Sequence, residues 1–124
     1  MRHFVLATLF VATGAFAQPA PDVQGMAGAW TVDLRPSLTD PPYTQPMVLT
    51  IAPDKSVTGS FYNSDIIAGR AGSAQGRSCV AFRTTDGKGM YHTSACLTDG
   101  RMVGSTWAEG RTFVLPWTAE RSAK

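Results

Sequence analysis

Cysteine, histidine and charged residues are scarce in this sequence. The chain of 124 residues has two cysteines and two histidines, and Asp, Glu, Lys and Arg make up 16% of it. Because structural zinc usually takes four Cys or His ligands, so small a supply disfavours a metal site. The 11 basic and 9 acidic residues form no run or stripe, so neither nucleic acid nor an anionic membrane is an expected partner.

Catalytic patterns are missing as well. The sequence has no glycine-rich phosphate loop and no nucleophile elbow, and its acidic residues lie singly or at turns, without the pairing of a general acid and base. His92 is either a general base or an outward-facing strand residue opposite Arg83. The second interpretation is favoured, because adjacent strand residues point to opposite faces. We therefore expect no enzymatic activity, no cofactor and no metal.

The longest hydrophobic run lies near the start of the sequence. Arg2 precedes an almost wholly apolar stretch at residues 4–12, and Ala15-Phe16-Ala17 has the small-x-small pattern of a signal-peptidase site. The stretch is shorter than the roughly 20 residues that a membrane-spanning helix needs. These features predict a signal peptide over residues 1–17, no membrane anchor, and export to the periplasm or beyond.

Helical periodicity is absent from residues 18–124. Short runs of β-branched and aromatic residues alternate instead with Gly, Pro and Asp turns, at spacings near ten residues, which is typical of a sandwich or barrel. Eight strands are predicted, at residues 28–34, 47–52, 56–63, 66–71, 78–85, 90–97, 101–108 and 112–118. The expected fold is all-β: a single eight-stranded antiparallel up-and-down β-barrel over residues 28–119, with an N-terminal extension at 18–27 and a tail at 120–124.

The turn between the fifth and sixth strands predicts a register and a disulfide together. If Gly87-Lys88 is a two-residue loop, Cys79 falls directly opposite Cys96. An even pair of cysteines in an oxidising compartment favours a disulfide between them.

The Asp99-Gly100 turn leaves two registers open. A two-residue loop places Trp107 opposite His92 and outside the barrel, whereas a three-residue loop with a bulge places it opposite Thr93 and inside. We favour the second register, because burying an indole is more favourable than exposing it.

Several short motifs resemble those of the avidin–streptavidin family. Gly28-Ala29-Trp30 matches the Gly-x-Trp that opens avidin and lipocalin barrels. Further matches follow in the family's order at Val57-Thr58-Gly59-Ser60-Phe61, Ile67-Ala68-Gly69-Arg70, Val80-Ala81-Phe82 and Ser105-Thr106-Trp107. The resemblance covers most of residues 28–118 and implies a small calycin-type barrel.

The residues that bind biotin in that family are not retained. The family's Asn, Ser and Tyr, which hold the ureido oxygen, correspond here to Val32, to Pro36 or Ser37, and to Phe61, and its large Trp on strand five to Phe82. A site that hydrogen-bonds a buried ligand rejects it when those partners are missing. Tight biotin binding is therefore not expected.

Five aromatic residues are predicted to face the barrel interior: Trp30, Phe61, Phe82, Trp107 and Trp117. A barrel of this size either is filled by such side chains or holds one small ligand, so both alternatives stay open. If a ligand site exists, its polar members are expected to be Asn63, Thr93 and Ser105, beside Phe61, Phe82 and Trp107. Asn63 is included because the alternation of the third strand places it on the inner face with Phe61.

Two functions follow from these observations. The first is binding of a small, partly apolar ligand inside the barrel. The second is binding of an exported protein, for example as an inhibitor of an exported hydrolase, since small Gly-x-Trp barrels with one disulfide resemble bacterial metalloprotease inhibitors. The loop at residues 35–46, which contains four prolines, and the segment at 18–25 are the parts expected to reach such a partner.

Overall fold

Nine antiparallel strands make up most of the described chain, which comprises residues 7–8 and 22–123 of a computed structural model. The strands are β1 Gly28–Asp33, β2 Thr44–Ile51, β3 Ser56–Phe61, β4 Ser64–Asp65, β5 Ile67–Ala74, β6 Arg77–Thr85, β7 Met90–Thr98, β8 Arg101–Ala108 and β9 Phe113–Arg121. Two short 3-10 helices, Val23–Met26 and Glu109–Arg111, are the helical elements of these residues. Apart from residues 7–8, the predicted signal peptide at 1–17 lies outside the described chain.

Eight of the strands form a closed ring. β1 pairs on one side with β2 and on the other with β9, while β2 also pairs with β3, so that the sheet returns to its starting strand. The two-residue strand β4 pairs with β3 and lies outside the ring. Closure removes the exposed edges of an open sheet. The prediction of an eight-stranded antiparallel barrel is therefore confirmed.

Alternation along each strand produces the core. In β6, every second residue from Ser78 to Thr84 is buried, and the intervening residues are more exposed. A similar period of two in most of the other ring strands directs one face inward, whereas β5 is irregular at its start. Four of the five aromatic residues predicted to face inward are buried, namely Trp30, Phe61, Phe82 and Trp117. Phe61 contacts Phe82 and Trp117, with ring centroids 5.9 and 5.6 Å apart respectively.

The β6–β7 hairpin has the predicted register. Cys79 pairs with Cys96, Phe82 with Thr93 and Arg83 with His92. A disulfide joins the two cysteines. Because disulfides form and persist where the surroundings are oxidising, this bond indicates an oxidising, extracellular type of compartment.

The favoured register of the next hairpin was wrong. Trp107 pairs with His92 and is 39% exposed on the outer surface. Asp99 and Gly100 both have positive φ, at 51° and 78°, which is the conformation of a two-residue type I′ turn. The turn geometry therefore decides the register, and burial of the indole does not.

Two further expectations about local structure need correction. The third strand ends at Phe61, and the next two residues, Tyr62 and Asn63, form a tight turn with φ of 54° and 63°. Asn63 is consequently exposed and does not continue the inner face. Pro46 lies in β2, opposite Thr31, although it was expected in the preceding loop. Its carbonyl accepts a hydrogen bond from the Tyr62 amide, so Pro46 joins the ladder as an acceptor only.

The helix Val23–Met26 closes one end of the barrel. Met26 is completely buried, and its carbonyl accepts a hydrogen bond of 2.9 Å from the Trp30 indole. Gln24 donates from its side-chain amide to the Ile51 carbonyl, also at 2.9 Å. The Arg121 guanidinium lies over the Trp30 ring, 4.2 Å from its centroid. The described part of the predicted N-terminal extension is therefore packed against the barrel.

Candidate functional site

The end of the barrel opposite this helix holds a cavity of about 270 Å³. It lies where β1, β3, β6 and β8 end and where β9 begins. We call it the mouth cavity, and its lining residues are Leu34, Tyr43, Phe61, Tyr62, Ser64, Thr84, Asp86, Tyr91, Thr106, Ala108, Arg111, Phe113 and Leu115. At about 30 Å³ per water molecule, its volume equals that of roughly nine waters. The cavity is therefore the size of a small organic molecule.

Apolar side chains form the walls of the mouth cavity. Leu34 on one side and Phe61 on the other are 7% and 4% exposed, and Ala108 is 1% exposed. Leu115, partly buried, packs against the core below. Small-ligand pockets typically combine apolar walls with a few well-placed polar groups. The mouth cavity has such apolar walls.

The floor carries a chain of buried hydrogen bonds. The Trp117 indole donates to Thr106 Oγ1 at 2.9 Å, and Thr106 Oγ1 lies 2.9 Å from Thr93 Oγ1. Thr93 and Thr106 are 3% and 8% exposed, and only Thr106 lines the cavity. The network fixes the orientation of the Trp117 ring below the cavity.

Thr84 provides a hydroxyl group at depth. The residue is 4% exposed and lines the cavity from β6. Its hydroxyl makes no hydrogen bond to another residue of the described chain. Every fully enclosed side-chain oxygen of the described chain has a hydrogen-bond partner. Because the Thr84 hydroxyl has none, it is not fully enclosed and can be reached from the cavity.

Three tyrosines and a carboxylate surround the opening. Tyr91 donates a hydrogen bond of 2.7 Å to Asp86, which raises the pKa of the Tyr91 phenol and lowers the pKa of the Asp86 carboxyl. The Tyr43 and Tyr62 hydroxyls are hydrogen-bonded to each other, and this bond raises the pKa of Tyr62. The phenols of Tyr62 and Tyr91 are therefore neutral at physiological pH.

Arg111 is the cation of the rim. It belongs to the short helix Glu109–Arg111 between β8 and β9, and its charge acts to lower the pKa of both Tyr62 and Tyr91. Its guanidinium forms no ion pair with any residue of the described chain. The mouth of the cavity is thus positively charged on one side.

The residues predicted for a ligand site do not share one cavity, although four of them border an open depression on the outer surface, namely Phe82, Thr93, Ser105 and Trp107. Phe61 lines the mouth cavity, and Phe82 and Thr93 lie in the core directly below it. Asn63 is exposed in the turn after β3. Ser105 and Trp107 are on the outer face of β8, where Trp107 neighbours His92.

Sequence reasoning missed Thr106 because of the register of one turn. A slip by one residue moves every side chain of a strand to the other face. The bulged register turned Ser105 and Trp107 inward and Thr106 outward, and the two-residue turn reverses all three. Thr84 could have been found, since it lies two residues after Phe82 on the same face. Tyr91 lies opposite Thr84 in the confirmed hairpin, so its position beside the cavity could also have been predicted from the register.

His92 takes part in an outer contact. It lies opposite Arg83, and its Nε2 atom is 3.2 Å from a carboxylate oxygen of Glu109. Among the described residues no group of three or more His, Cys, Asp or Glu side chains is placed to hold a metal. The described chain also contains no helix with the length and apolar character to cross a membrane.

The fold and the mouth cavity define a class of protein: a small closed antiparallel barrel, plugged at one end and hollow at the other, consistent with calycin-type architecture. Comparisons with protein-family models, curated proteins and solved structures find no match to the chain. The resemblance to avidins and lipocalins therefore rests on the short motifs and the shared barrel form.

Proposed function

We propose that this protein binds a small, partly apolar molecule in the mouth cavity and carries out no catalysis. The observation that carries the proposal is a cavity of about 270 Å³ with apolar walls, a hydroxyl group at its floor and an aromatic rim. Such a combination of apolar surface and few polar groups is the usual form of a small-ligand site. The barrel supplies a rigid frame, so little ordering is needed on binding.

Thermal unfolding in the presence of pooled metabolites and small hydrophobic compounds tests this proposal. A ligand that binds only the folded protein raises the melting temperature. In Ala108→Met the added side chain occupies the mouth cavity, so we expect the shift to disappear. Ala81→Met adds the same side chain on the exposed face of β6 and should keep the shift. Equal shifts in both variants would exclude the mouth cavity as the site.

Biotin is not the proposed ligand. Val32 and Phe61 replace two of the polar residues by which avidins hold it, and both are buried in the core. Retention of the protein on a biotin resin, with release by free biotin, would contradict this expectation.

Export is part of the proposal. The pattern at residues 1–17 and the Cys79–Cys96 disulfide both support a periplasmic or secreted protein. Detection of the chain in the exported fraction, cleaved after Ala17, tests this part.

A second candidate function is binding of an exported protein, and one observation favours it. Leu38 in the proline-rich loop between β1 and β2 is 91% exposed. Asp33 holds Arg35 at the base of this loop with an ion pair of 2.6 Å, which limits the loop's freedom. An exposed apolar residue on a stiff loop is suited to insertion into a partner's cleft. Recovery of a partner from an exported fraction by the wild type, and its loss in Leu38→Asp, would support this function.

A further inference from the structure

The hydroxyl protons at the floor of the mouth cavity can be assigned from the hydrogen bonds around Thr106. The Trp117 indole can only donate, so it occupies one lone pair of Thr106 Oγ1. If Thr106 donated its proton to Thr93, the proton of Thr93 would have no acceptor within the described core. If Thr93 donates instead, the unused proton is that of Thr106, a residue that lines the cavity. A hydroxyl donor without an acceptor is most costly where neither water nor a ligand can reach it. The arrangement in which Thr93 donates to Thr106 is therefore favoured.

Thr84 supplies an available donor to the same cavity. Its hydroxyl has no partner in the described chain, although the residue is only 4% exposed. Thr84 on β6 pairs with Tyr91 on β7, which pairs in turn with Ala108 on β8. Thr106 lies two residues before Ala108 on β8 and pairs with Thr93 on β7. The two threonines therefore belong to neighbouring cross-strand rows of inward-facing residues. The cavity offers the hydroxyl of Thr84 as a donor at depth.

We infer that the mouth cavity takes a small neutral carbonyl compound, such as a ketone, ester, lactone or amide, which enters with its oxygen first and accepts a hydrogen bond from Thr84. The inference rests on the proposed function, because it names the ligand class of that same site. The remaining, apolar part of the ligand lies against Phe61 and Leu115.

The charge distribution excludes an acidic head group at the floor. Among the described residues, Arg111 is the only cation that lines the mouth cavity, and it is exposed at the rim. A carboxylate placed beside Thr84 would lose its water against apolar walls without gaining a cation, and this desolvation is costly. A neutral carbonyl oxygen needs only the hydroxyl donor that Thr84 supplies.

Three probes of equal size separate these possibilities: acetophenone, cumene and benzoate. Each has a benzene ring with a three-atom branched group, and only the chemistry of that group differs. We expect acetophenone to bind most tightly to the wild type in isothermal titration. In Thr84→Val its advantage over cumene should fall by about fivefold, the value of one net hydrogen bond. Thr84→Ser should restore the advantage, and Thr58→Val, on the exposed face of β3, should leave it unchanged.

The outcomes distinguish this inference from the proposed function. Equal binding of acetophenone and cumene, or an unchanged preference in Thr84→Val, would overturn the carbonyl assignment and leave the ligand-binding function standing. Tighter binding of benzoate would also overturn it and move recognition to Arg111. Failure of all three probes, together with no shift from any metabolite pool, would overturn the proposed function and the inference with it.

Discussion

The side chain of Trp117 determines which residues fit around it. It fills the barrel centre beside Gly104 on β8, and a β-carbon added at Gly104 would lie 2.8 Å from Trp117 Cζ2 and 2.7 Å from Ala95 Cβ. The inner face of β8 has no space for a second indole here. A larger residue at Gly104 would therefore have to displace the Trp117 ring or the Ala95 side chain.

Gly104→Ala is therefore expected to destabilise the barrel by about 1–3 kcal/mol, the usual cost of overpacking a filled core. The measurement is the free energy of unfolding in urea. Gly72→Ala on β5 is the matched control, because an added β-carbon meets nothing within 4 Å there. A control as unstable as Gly104→Ala would show that strand glycines are needed for a reason other than contact with Trp117.

Asp86 contributes to the acid stability of the protein through the turn between β6 and β7. Its carboxylate accepts hydrogen bonds from Tyr91 and from the Lys88 and Gly89 amides, and these hold the pKa of Asp86 below its ordinary value of 3.8. A carboxyl with a lowered pKa in the folded state stabilises that state above the unfolded pKa and loses the effect as the pH falls through the folded value.

The melting temperature should accordingly fall as the pH drops below about 4, and less steeply in Asp86→Asn than in the wild type. Tyr91→Phe removes the largest cause of the lowered pKa and should weaken the acid dependence in the same direction. Parallel curves for wild type and both variants would contradict the role given to this carboxylate.

Hairpins were the most predictable elements of the fold. The Asp86-to-Gly89 turn gave the correct pairing of seven residues in β6 with seven in β7, including Cys79 with Cys96. The Asp99-Gly100 turn carried an equally clear signal, since Asp-Gly favours a two-residue type I′ loop. The error came from giving the burial of one side chain more weight than the geometry of the turn, which sets the register for the whole of β8.

The disulfide supports the β6–β7 hairpin from outside the core, and we predict that unreduced protein has no titratable thiol. Replacing both Cys79 and Cys96 by Ala should lower stability by about 3 kcal/mol, because the bond closes a loop between residues 17 apart. Urea unfolding of the wild type, of the double variant and of reduced wild type is the measurement. If the double variant and the reduced wild type have the same free energy of unfolding, the loss of stability is due to the missing disulfide. A reduced wild type as stable as the oxidised protein would contradict the prediction.

The closed ring could be predicted at the scale of the molecule, but the cavity could not. Strand count, short spacings and turn signals were enough to indicate eight strands and closure. Which end is filled depends on the packing of Met26 and Trp30 beneath the helix Val23–Met26, and those contacts have no periodic signature. The rim depends on turn conformations at Tyr62 and Arg111, which determine where the side chains meet.

Closure of the ring rests on the last few residues of β9. All four pairs between β1 and β9 involve residues 118–121, from Thr118 opposite Asp33 to Arg121 opposite Trp30. A chain that ends after Trp117 keeps the β8–β9 pairs up to that residue but loses every contact that seals the barrel. It would expose two unpaired edges, and such edges associate with other chains.

We therefore expect the chain ending at Trp117 to lose cooperative unfolding and to aggregate, as measured by circular dichroism on heating and by light scattering. A chain ending at Ser122 is the control, because it keeps the four pairs and the amide of Ser122 that donates to the Ala29 carbonyl. If the shorter chain remained monomeric with an unchanged melting temperature, β1 and β9 would not hold the barrel together, and the mouth cavity would lose the rigid frame on which ligand binding depends.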